Sequence, residues 1–375
     1  MTAMKRKNIV WILLLLGSIA CNPPSNENVL VGRHQELFHP MFIRDITGQR
    51  LLWDYANEDE AKADARAKVE TTLTLIDSLH RHGKEFLFIF APTKTAVYPE
   101  YLPRKIRRQI SDFSLEAYYI QLFKEKGIPH IDFYTYFQDL KKTFPYPLFS
   151  RTGCHWAQGT MPLVGDTILR KIEDLTGMQL PDIEIIDINL TTDYTAQDAE
   201  LELLPDSNPP PRKPLPRPLC ALKDTAGKDR PKLLVVGDGD FVPLKKSCFV
   251  DAFTQCDFWC YNRDIYSTRP DFTPSKLRDY PFAYEMLEEA DVVMGIMTAP
   301  YFYQYFFDFE ETAFRLWQEG SLNDEEILER KMEEIKKNSD WYEAIVKQAQ
   351  ERGIPVEENL RRNALFVIQT QKASQ

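Results

Sequence analysis

Lys232-Leu-Leu-Val-Val-Gly-Asp-Gly239-Asp-Phe241 is a short apolar run that opens on a charged residue and closes on a turn of Gly and Asp. A run of this length, rich in β-branched and aliphatic residues and bounded by turn formers, reads as a strand buried on both faces. Two others have the same character, Glu85-Phe-Leu-Phe-Ile-Phe-Ala91 and Asp291-Val-Val-Met-Gly-Ile-Met297. Helical patterns separate the strands. Residues 59–82 carry Val69, Leu73 and Ile76 at helical spacing, then Leu79, and Gly83 supplies a stop. Residues 111–126 carry Leu115, Tyr119, Leu122 and Phe123, close at Gly127, and lead into the short strand Ile128-Pro-His-Ile-Asp132. Residues 157–176, with Leu163, Ile168 and Ile172, form a further helix ending at Gly177. Helix, glycine and strand in repeated order predict an α/β fold with a parallel sheet flanked by helices.

The chain has 375 residues, 43% of them apolar, which is ample for a sizeable core. Its first 20 residues read as an export signal. Lys5, Arg6 and Lys7 precede an apolar stretch from Ile9 to Leu16 that is too short to span a bilayer, and small residues follow. Two processing routes fit. Ser18-Ile-Ala20 suits ordinary cleavage, and Ile19-Ala-Cys21 suits a lipobox that would make Cys21 a lipidated first residue. The tether-like Asn22-Pro-Pro-Ser-Asn-Glu-Asn28 favours the second. The expected location is therefore periplasm or outer membrane, held by a lipid anchor only. Removing the signal takes the net charge from −10 to −13, which argues against a nucleic-acid partner and against long-range steering of a strongly anionic glycan, though a local basic groove could override that average.

Five cysteines remain beyond Cys21, an odd number that excludes full pairing within the chain. Cys256 and Cys260 stand four residues apart on a predicted strand, about 13 Å and beyond the roughly 7 Å disulfide limit, so they are not expected to pair. With no C-x-x-C motif and scattered histidines, no metal site and no cofactor is proposed. Residues 21–58 form the tether and lead-in, residues 59–204 a first half-domain, the Pro-rich stretch 205–218 an extended crossover, and residues 219–375 the second half with charged C-terminal helices. In those helices Leu328, Met332 and Ile335 form one core-facing stripe and Trp341, Ile345 and Ala349 another, with Asp340 and Glu343 spaced as a capping box.

Thr152-Gly153-Cys154-His155-Trp156 lies ahead of the Gly237-Asp-Gly239 turn, and the two blocks in this order resemble the permuted SGNH-hydrolase-like family of the periplasmic alginate O-acetyltransferases. Phe90-Ala-Pro-Thr-Lys94-Thr-Ala-Val-Tyr98-Pro-Glu-Tyr-Leu-Pro103 is similar to that family's early segment, and Phe258-Trp-Cys-Tyr261-Asn262 resembles an aromatic run in its Bacteroides-type envelope branch, where Thr-Gly-x-His-Trp is also found. The resemblance implies a flavodoxin-like parallel sheet. It also implies a site in which a serine after Gly-Asp attacks an acetyl donor, the histidine of the His-Trp block takes its proton, and an Asp in that block orients the histidine. Carried onto this chain, His155 is the residual base, Gly239 stands where the serine would be, and Gly153 stands where the Asp would be, unless the acceptor comes from elsewhere. Asp238 caps the turn or holds His155. Trp156, Tyr261, Asn262, Lys94 and Tyr98 are carried over as substrate-contacting candidates.

Loss of a catalytic serine in a triad enzyme costs about 10⁶-fold in turnover. The expected function is thus an exported relative of polysaccharide O-acetyltransferases that binds glycan, or serves as an accessory to a membrane-bound O-acyltransferase, without turning substrate over. The alternative is an active O-acetyltransferase or esterase with another nucleophile, although Asp240 is turned away by its one-residue offset, Ser247 lies eight residues past the turn, and Cys154 is a sequence neighbour of His155, where side chains rarely face one another.

Overall fold

The computed structural model describes residues 29–204 and 207–373; the predicted signal segment and Cys21 lie outside these. Its strands are β1 (Leu30–Val31), β2 (Leu37–Phe38), β3 (Glu85–Ala91), β4 (His130–Asp132), β5 (Asp182–Thr191), β6 (Leu215–Lys223), β7 (Lys232–Gly237), β8 (Gln255–Cys260), β9 (Asp264–Ser267), β10 (Ser275–Lys276) and β11 (Val292–Thr298). Seven of them form a central sheet in the order β10-β9-β8-β7-β11-β3-β4. The five from β8 to β4 are parallel, and β9 and β10 add an antiparallel edge. Covalent order reverses across the middle of this sheet, and in open α/β sheets the ligand-binding crevice lies outside such a reversal, here the carboxyl ends of β7 and β11.

The apolar runs behave as two-faced strands. Phe86, Phe88 and Phe90 of β3 enter one core layer with Leu234 and Val236 of β7. Leu87, Ile89 and Ala91 enter the opposite layer with Leu233 and Val235. The first layer is closed by helices Glu58–Arg81 and Leu115–Lys126, the second by helices Phe133–Thr143 and Met161–Thr176. The stops read from sequence operate as left-handed glycines, with φ of 71° at Gly83, 68° at Gly127 and 72° at Gly177.

Three features differ from expectation. The Pro-rich stretch does not only bridge two halves: residues from Leu215 onward enter β6, which pairs antiparallel with β5 in a separate two-stranded arm. Prolines are tolerated there because the arm has free edges on which missing N–H groups go unneeded. The last part of the chain is three helices, Asp324–Lys337, Ser339–Arg352 and Val356–Ala373, around their own apolar cluster of Leu328, Met332, Ile335, Ile345 and Leu360. The middle one is capped by Asn338, whose side chain accepts from the Trp341 N–H at 3.1 Å, rather than by Asp340 and Glu343. Among the described residues, no helix is long and apolar enough to cross a membrane.

Cys220 of β6 is bridged to Cys248, with Cα atoms 6.1 Å apart, and this ties the arm to the turn that precedes β8. Neither Cys256 nor Cys260 is in a disulfide. The bridge closes a loop of 28 residues, from which unfolded-chain entropy alone predicts about 3.6 kcal/mol of stabilisation. Replacing both cysteines by Ser should lower the urea unfolding midpoint by the corresponding amount. An unchanged midpoint would mean that packing alone holds the arm.

Candidate active site

The strand β7 ends because the backbone has no more room. A Cβ on Gly237 would stand 2.2 Å from the carbonyl oxygen of Ile296 on β11, so only glycine allows the close approach from which the chain turns out of the sheet. Asp238 follows, fully buried. Its Oδ2 accepts from the N–H and Oγ1 of Thr298, at 2.7 and 2.8 Å, and its Oδ1 accepts from the Asp240 N–H at 3.0 Å. Asp238 thus stitches β7 to β11 and shapes the turn; it does not hydrogen-bond His155.

The His block arrives opposite this turn. Trp156 is 1% exposed, packs against Phe133 and Phe137, and donates its indole N–H to the carbonyl oxygen of Asp240 at 2.7 Å. That bond fixes the distance between the two blocks and directs the neighbouring His155 at Gly239. An ideal Cβ on Gly239 would lie 2.8 Å from His155 Nε2 and 3.7 Å from the Tyr261 hydroxyl. The two catalytic positions implied by the resemblance are therefore adjacent, and the imidazole stands against the glycine in space that a larger residue would contest.

The orienting carboxylate is present, but not where it was sought. A Cβ on Gly153 would meet the Gln197 carbonyl oxygen at 2.3 Å and Ser150 Oγ at 2.8 Å, so an Asp cannot be accommodated there without moving backbone. Glu200 serves instead. Its Oε1 accepts from His155 Nδ1 at 2.8 Å and from the backbone N–H groups of Cys154 and His155 at 2.6 and 3.2 Å. The bond at Nδ1 leaves Nε2 directed at Gly239, the arrangement a proton-accepting imidazole requires. Glu200 reaches the site from the connection between β5 and β6. The Leu201 N–H donates to the Thr152 carbonyl at 2.9 Å, and Thr152 Oγ1 donates to the Asp198 carbonyl at 3.0 Å and to Glu202 Oε1 at 2.8 Å.

Electrostatics follow from this geometry. Burial opposes charge on His155, but Glu200, then Asp240, outweigh it and set the imidazole pKa well above the ordinary 6.5. Burial works against the Glu200 carboxylate as well, yet the facing imidazole and its hydrogen bonds hold its pKa below the usual value. Asp240 is 4% exposed, its Oδ1 has no hydrogen-bond partner, and burial pushes its pKa well up despite the opposing imidazole. Burial also raises Asp238, against its hydrogen bonds to Asp240 and Thr298.

Other candidates fall differently. Lys94, 1% exposed, donates to the carbonyls of Leu37, Ser150 and Arg151 at 3.0, 2.7 and 3.0 Å and pairs with Glu36 at 2.9 Å. It fastens the lead-in to the His block and has no group left for substrate. Tyr98 is buried, with its hydroxyl accepting from the Leu148 N–H at 3.1 Å. Asn262 donates to the Phe307 carbonyl at 2.9 Å and to Thr312 Oγ1 at 2.6 Å, anchoring the segment that leaves β11. Trp259 is in the core. Of the carried-over contact residues, Tyr261 alone stands beside Gly239, its hydroxyl 3.2 Å from that of Tyr301.

Cys154 Sγ lies 4.0 Å from His155 Nδ1, the nitrogen already engaged by Glu200, and burial pushes its thiol pKa well up, so it is not an activated nucleophile. Cys154, His155 and Glu200 place possible ligand atoms within 4.8 Å of one another. Because Glu200 Oε1 is taken by three N–H donors, the trio reads as an oriented histidine rather than an ion site. Sequence reasoning missed Glu200. It sits in the acidic run Asp198-Ala-Glu200-Leu-Glu202, and nothing local marks one of these acids as the partner of a histidine 45 residues away.

Residues 51–185 match the family model described as SGNH hydrolase-like domain, acetyltransferase AlgX. Among solved structures, the O-acetyltransferase domain of Pseudomonas putida AlgJ is similar at 15% identity and TM-score 0.46, over 76% of this chain and 99% of that one. Pseudomonas aeruginosa AlgX is similar at 14% and 0.43, over 76% and 67%, and Bacillus cereus PatB1, solved with a sulfonyl adduct, at 12% and 0.43, over 66% and 93%. No match was found among curated proteins.

Removal of the Glu200 charge tests the pairing. In Glu200→Gln the His155 resonances should titrate at a clearly lower pH than in the unaltered protein, because burial then acts with little opposition. The raised imidazole also makes a signed contribution to stability. It is present in full below pH 6.5 and is lost as pH rises through the folded-state value, a loss the variant should not show. Unchanged NMR titration would exclude Glu200 as the orienter.

Proposed function

The chain is related to the SGNH hydrolase-like AlgX acetyltransferases, and from that relation we propose an exported cell-envelope protein that engages carbohydrate at the inherited site without forming an acyl-enzyme. One observation carries this reading: the position facing His155 Nε2 is Gly239, with no side chain, and the imidazole stands 2.8 Å from where a Cβ would be. The histidine and its carboxylate are in place, and the Gly239 N–H remains at the turn to meet a carbonyl oxygen or an anion. What is missing is the hydroxyl that would become an ester. Cys154 and Asp240 do not replace it, the first because its thiol is unactivated and the second because its carboxyl is buried and raised.

A scaffold that keeps the geometry of an acyl-transfer site while lacking the nucleophile suits a binding or accessory role in glycan O-acetylation. The acyl group would then be handled by another component, for example a membrane-bound O-acyltransferase, with Cys21 holding this chain at the membrane by a lipid.

Ester hydrolysis and covalent trapping test the reading together. The purified protein should hydrolyse acetyl esters no faster than its His155→Ala variant and should acquire no adduct from an aryl sulfonyl fluoride by mass spectrometry. In Gly239→Ser the imidazole must withdraw by a few tenths of an ångström or more, after which the hydroxyl falls within its reach. That variant should form an adduct at position 239 and hydrolyse ester at least about tenfold above the His155→Ala background, a small part of the roughly 10⁶-fold that separates triad enzymes from their serine-less variants. Turnover in the unaltered protein that vanishes in His155→Ala would overturn the proposal.

A further inference from the structure

Pro103-Arg104-Lys105-Ile106-Arg107-Arg108-Gln109-Ile110-Ser111 carries four positive charges and no acid, in a chain whose net charge is −10. It begins with a short helix, Arg104–Arg107. Ile106 is half-buried, while Arg104, Lys105, Arg107 and Arg108 are all exposed. Successive helical residues turn by about 100°, so these four cover one side and Ile106 the other. Among the described residues, none of the four side chains has an ion pair or a hydrogen-bond partner. Of the acids nearest in sequence, Glu100 is engaged by Lys141 at 2.7 Å, and exposed Asp112 pairs with none of them. Lys276 and Arg278 make the contrast: they are exposed too, but pair with Asp264 and Asp324.

Like charges gathered this closely repel one another, and an anionic partner relieves the repulsion. The surroundings say which partner. The lead-in crosses the start of the segment: a Cβ on Gly32 would stand 2.5 Å from the Tyr101 carbonyl oxygen, and the His34 ring meets that of Tyr101 edge-on at 5.6 Å. Cys21 precedes Val29 by eight residues, at most about 28 Å of extended backbone. A lipid on Cys21 therefore keeps this face near a bilayer. At the segment's other end, the Ser111 N–H donates to the Ile46 carbonyl at 2.8 Å, which lays the helix Pro40–Ile46 against it. The guanidinium of Arg44 in that helix lies 4.9 Å from the ring centre of Trp53, and Trp53 and Leu52 are 60% and 67% exposed. Ile110, next to Ser111, is 40% exposed. Cations beside an exposed indole and exposed aliphatic side chains suit the headgroup layer of a membrane, where the ring sits among headgroups and the cations meet phosphates.

We propose that residues 104–110, together with Leu52 and Trp53, form a docking surface for a bilayer rich in anionic phospholipid. Lipid phosphates supply the counter-charges that the protein does not. The acidic remainder of the chain is repelled by the same bilayer, so the contact sets orientation as well as attachment. The inference rests on the lipid anchor of the reading above for nearness to the membrane, and not on what occupies the site at Gly239.

Vesicle flotation tests the surface without the lipid. The chain from Asn22 onward, which keeps every described residue, should bind phosphatidylcholine vesicles containing about one third phosphatidylglycerol at least about tenfold tighter than pure phosphatidylcholine, and added salt should release it. Arg104→Ala, Lys105→Ala, Arg107→Ala and Arg108→Ala together should remove that margin and leave the thermal midpoint unchanged, because these side chains have no partners to lose. Lys276→Ala with Arg278→Ala should keep the margin. Lipids brominated on their acyl chains should quench the fluorescence of the bound protein, and do so less in Trp53→Phe. Equal binding to both vesicles or binding to neither overturns the surface. A margin that survives the four substitutions, or that falls as far in the Lys276 and Arg278 variant, overturns it too, as does quenching unchanged in Trp53→Phe. Binding of soluble polygalacturonate but of neither vesicle overturns it in favour of a glycan contact. Mass spectrometry of the full chain extracted from bacterial membranes reads the lipid on Cys21 separately: its absence with vesicle binding intact overturns the anchor and leaves the surface standing.

Discussion

Everything at the crevice depends on one oxygen, Glu200 Oε1, and the three N–H groups that converge on it. Two of those donors are backbone, so the carboxylate fixes the path of the chain through Cys154 and His155 as well as the ring's orientation. A carboxylate accepting several N–H bonds keeps its charge even where water is largely excluded. The arrangement also explains why position 153 is glycine. The segment that delivers Glu200 passes so close that the Gln197 carbonyl occupies the space of a side chain. The resemblance read from sequence implies an acid within the block; here the acid comes from a separate arm, and the glycine leaves room for the segment that carries it.

The arm is an unusual element on which to carry a site residue. It is a two-stranded ribbon outside the main sheet, and such ribbons are marginal alone. Here it is held by the disulfide to Cys248, by Ile183 and Leu222 packed on the second core layer, and by contacts of its connecting loop with Ser150 and Thr152. The precision of the His155–Glu200 contact is therefore borrowed from the rigid sheet through several independent attachments, as a preorganised constellation requires.

The central sheet was legible because the buried strands announce themselves: Phe86 to Ala91, Leu233 to Val236 and Val292 to Met297 have no polar side chain on either face. Helix ends at Gly83, Gly127 and Gly177 were equally plain, since a left-handed terminus has few residues to choose from. The arm was not legible. Its strands alternate charged and apolar residues in β5 and carry prolines in β6, and they gain order only by pairing with each other. In the site, His155 and Gly239 could be matched by motif because strand-to-turn geometry brings the two blocks together. Lys94, Tyr98 and Trp156 were read as contacts with a ligand when they are contacts with the protein. A motif reports that a residue is placed near a site without reporting which way it faces, and a fully buried ammonium satisfied by three carbonyls looks, in sequence, like any lysine.

Acid–base balance ties the missing hydroxyl to the rest of the crevice. A general base works best with a pKa near the working pH, so that an unprotonated fraction is at hand. In His155 burial opposes charge, and the attraction of Glu200, then Asp240, outruns that cost and raises the imidazole pKa. With no side chain at Gly239, the chain itself brings no hydroxyl to Nε2 from that position. The histidine and Glu200 then persist as a hydrogen-bonded pair that holds the loop.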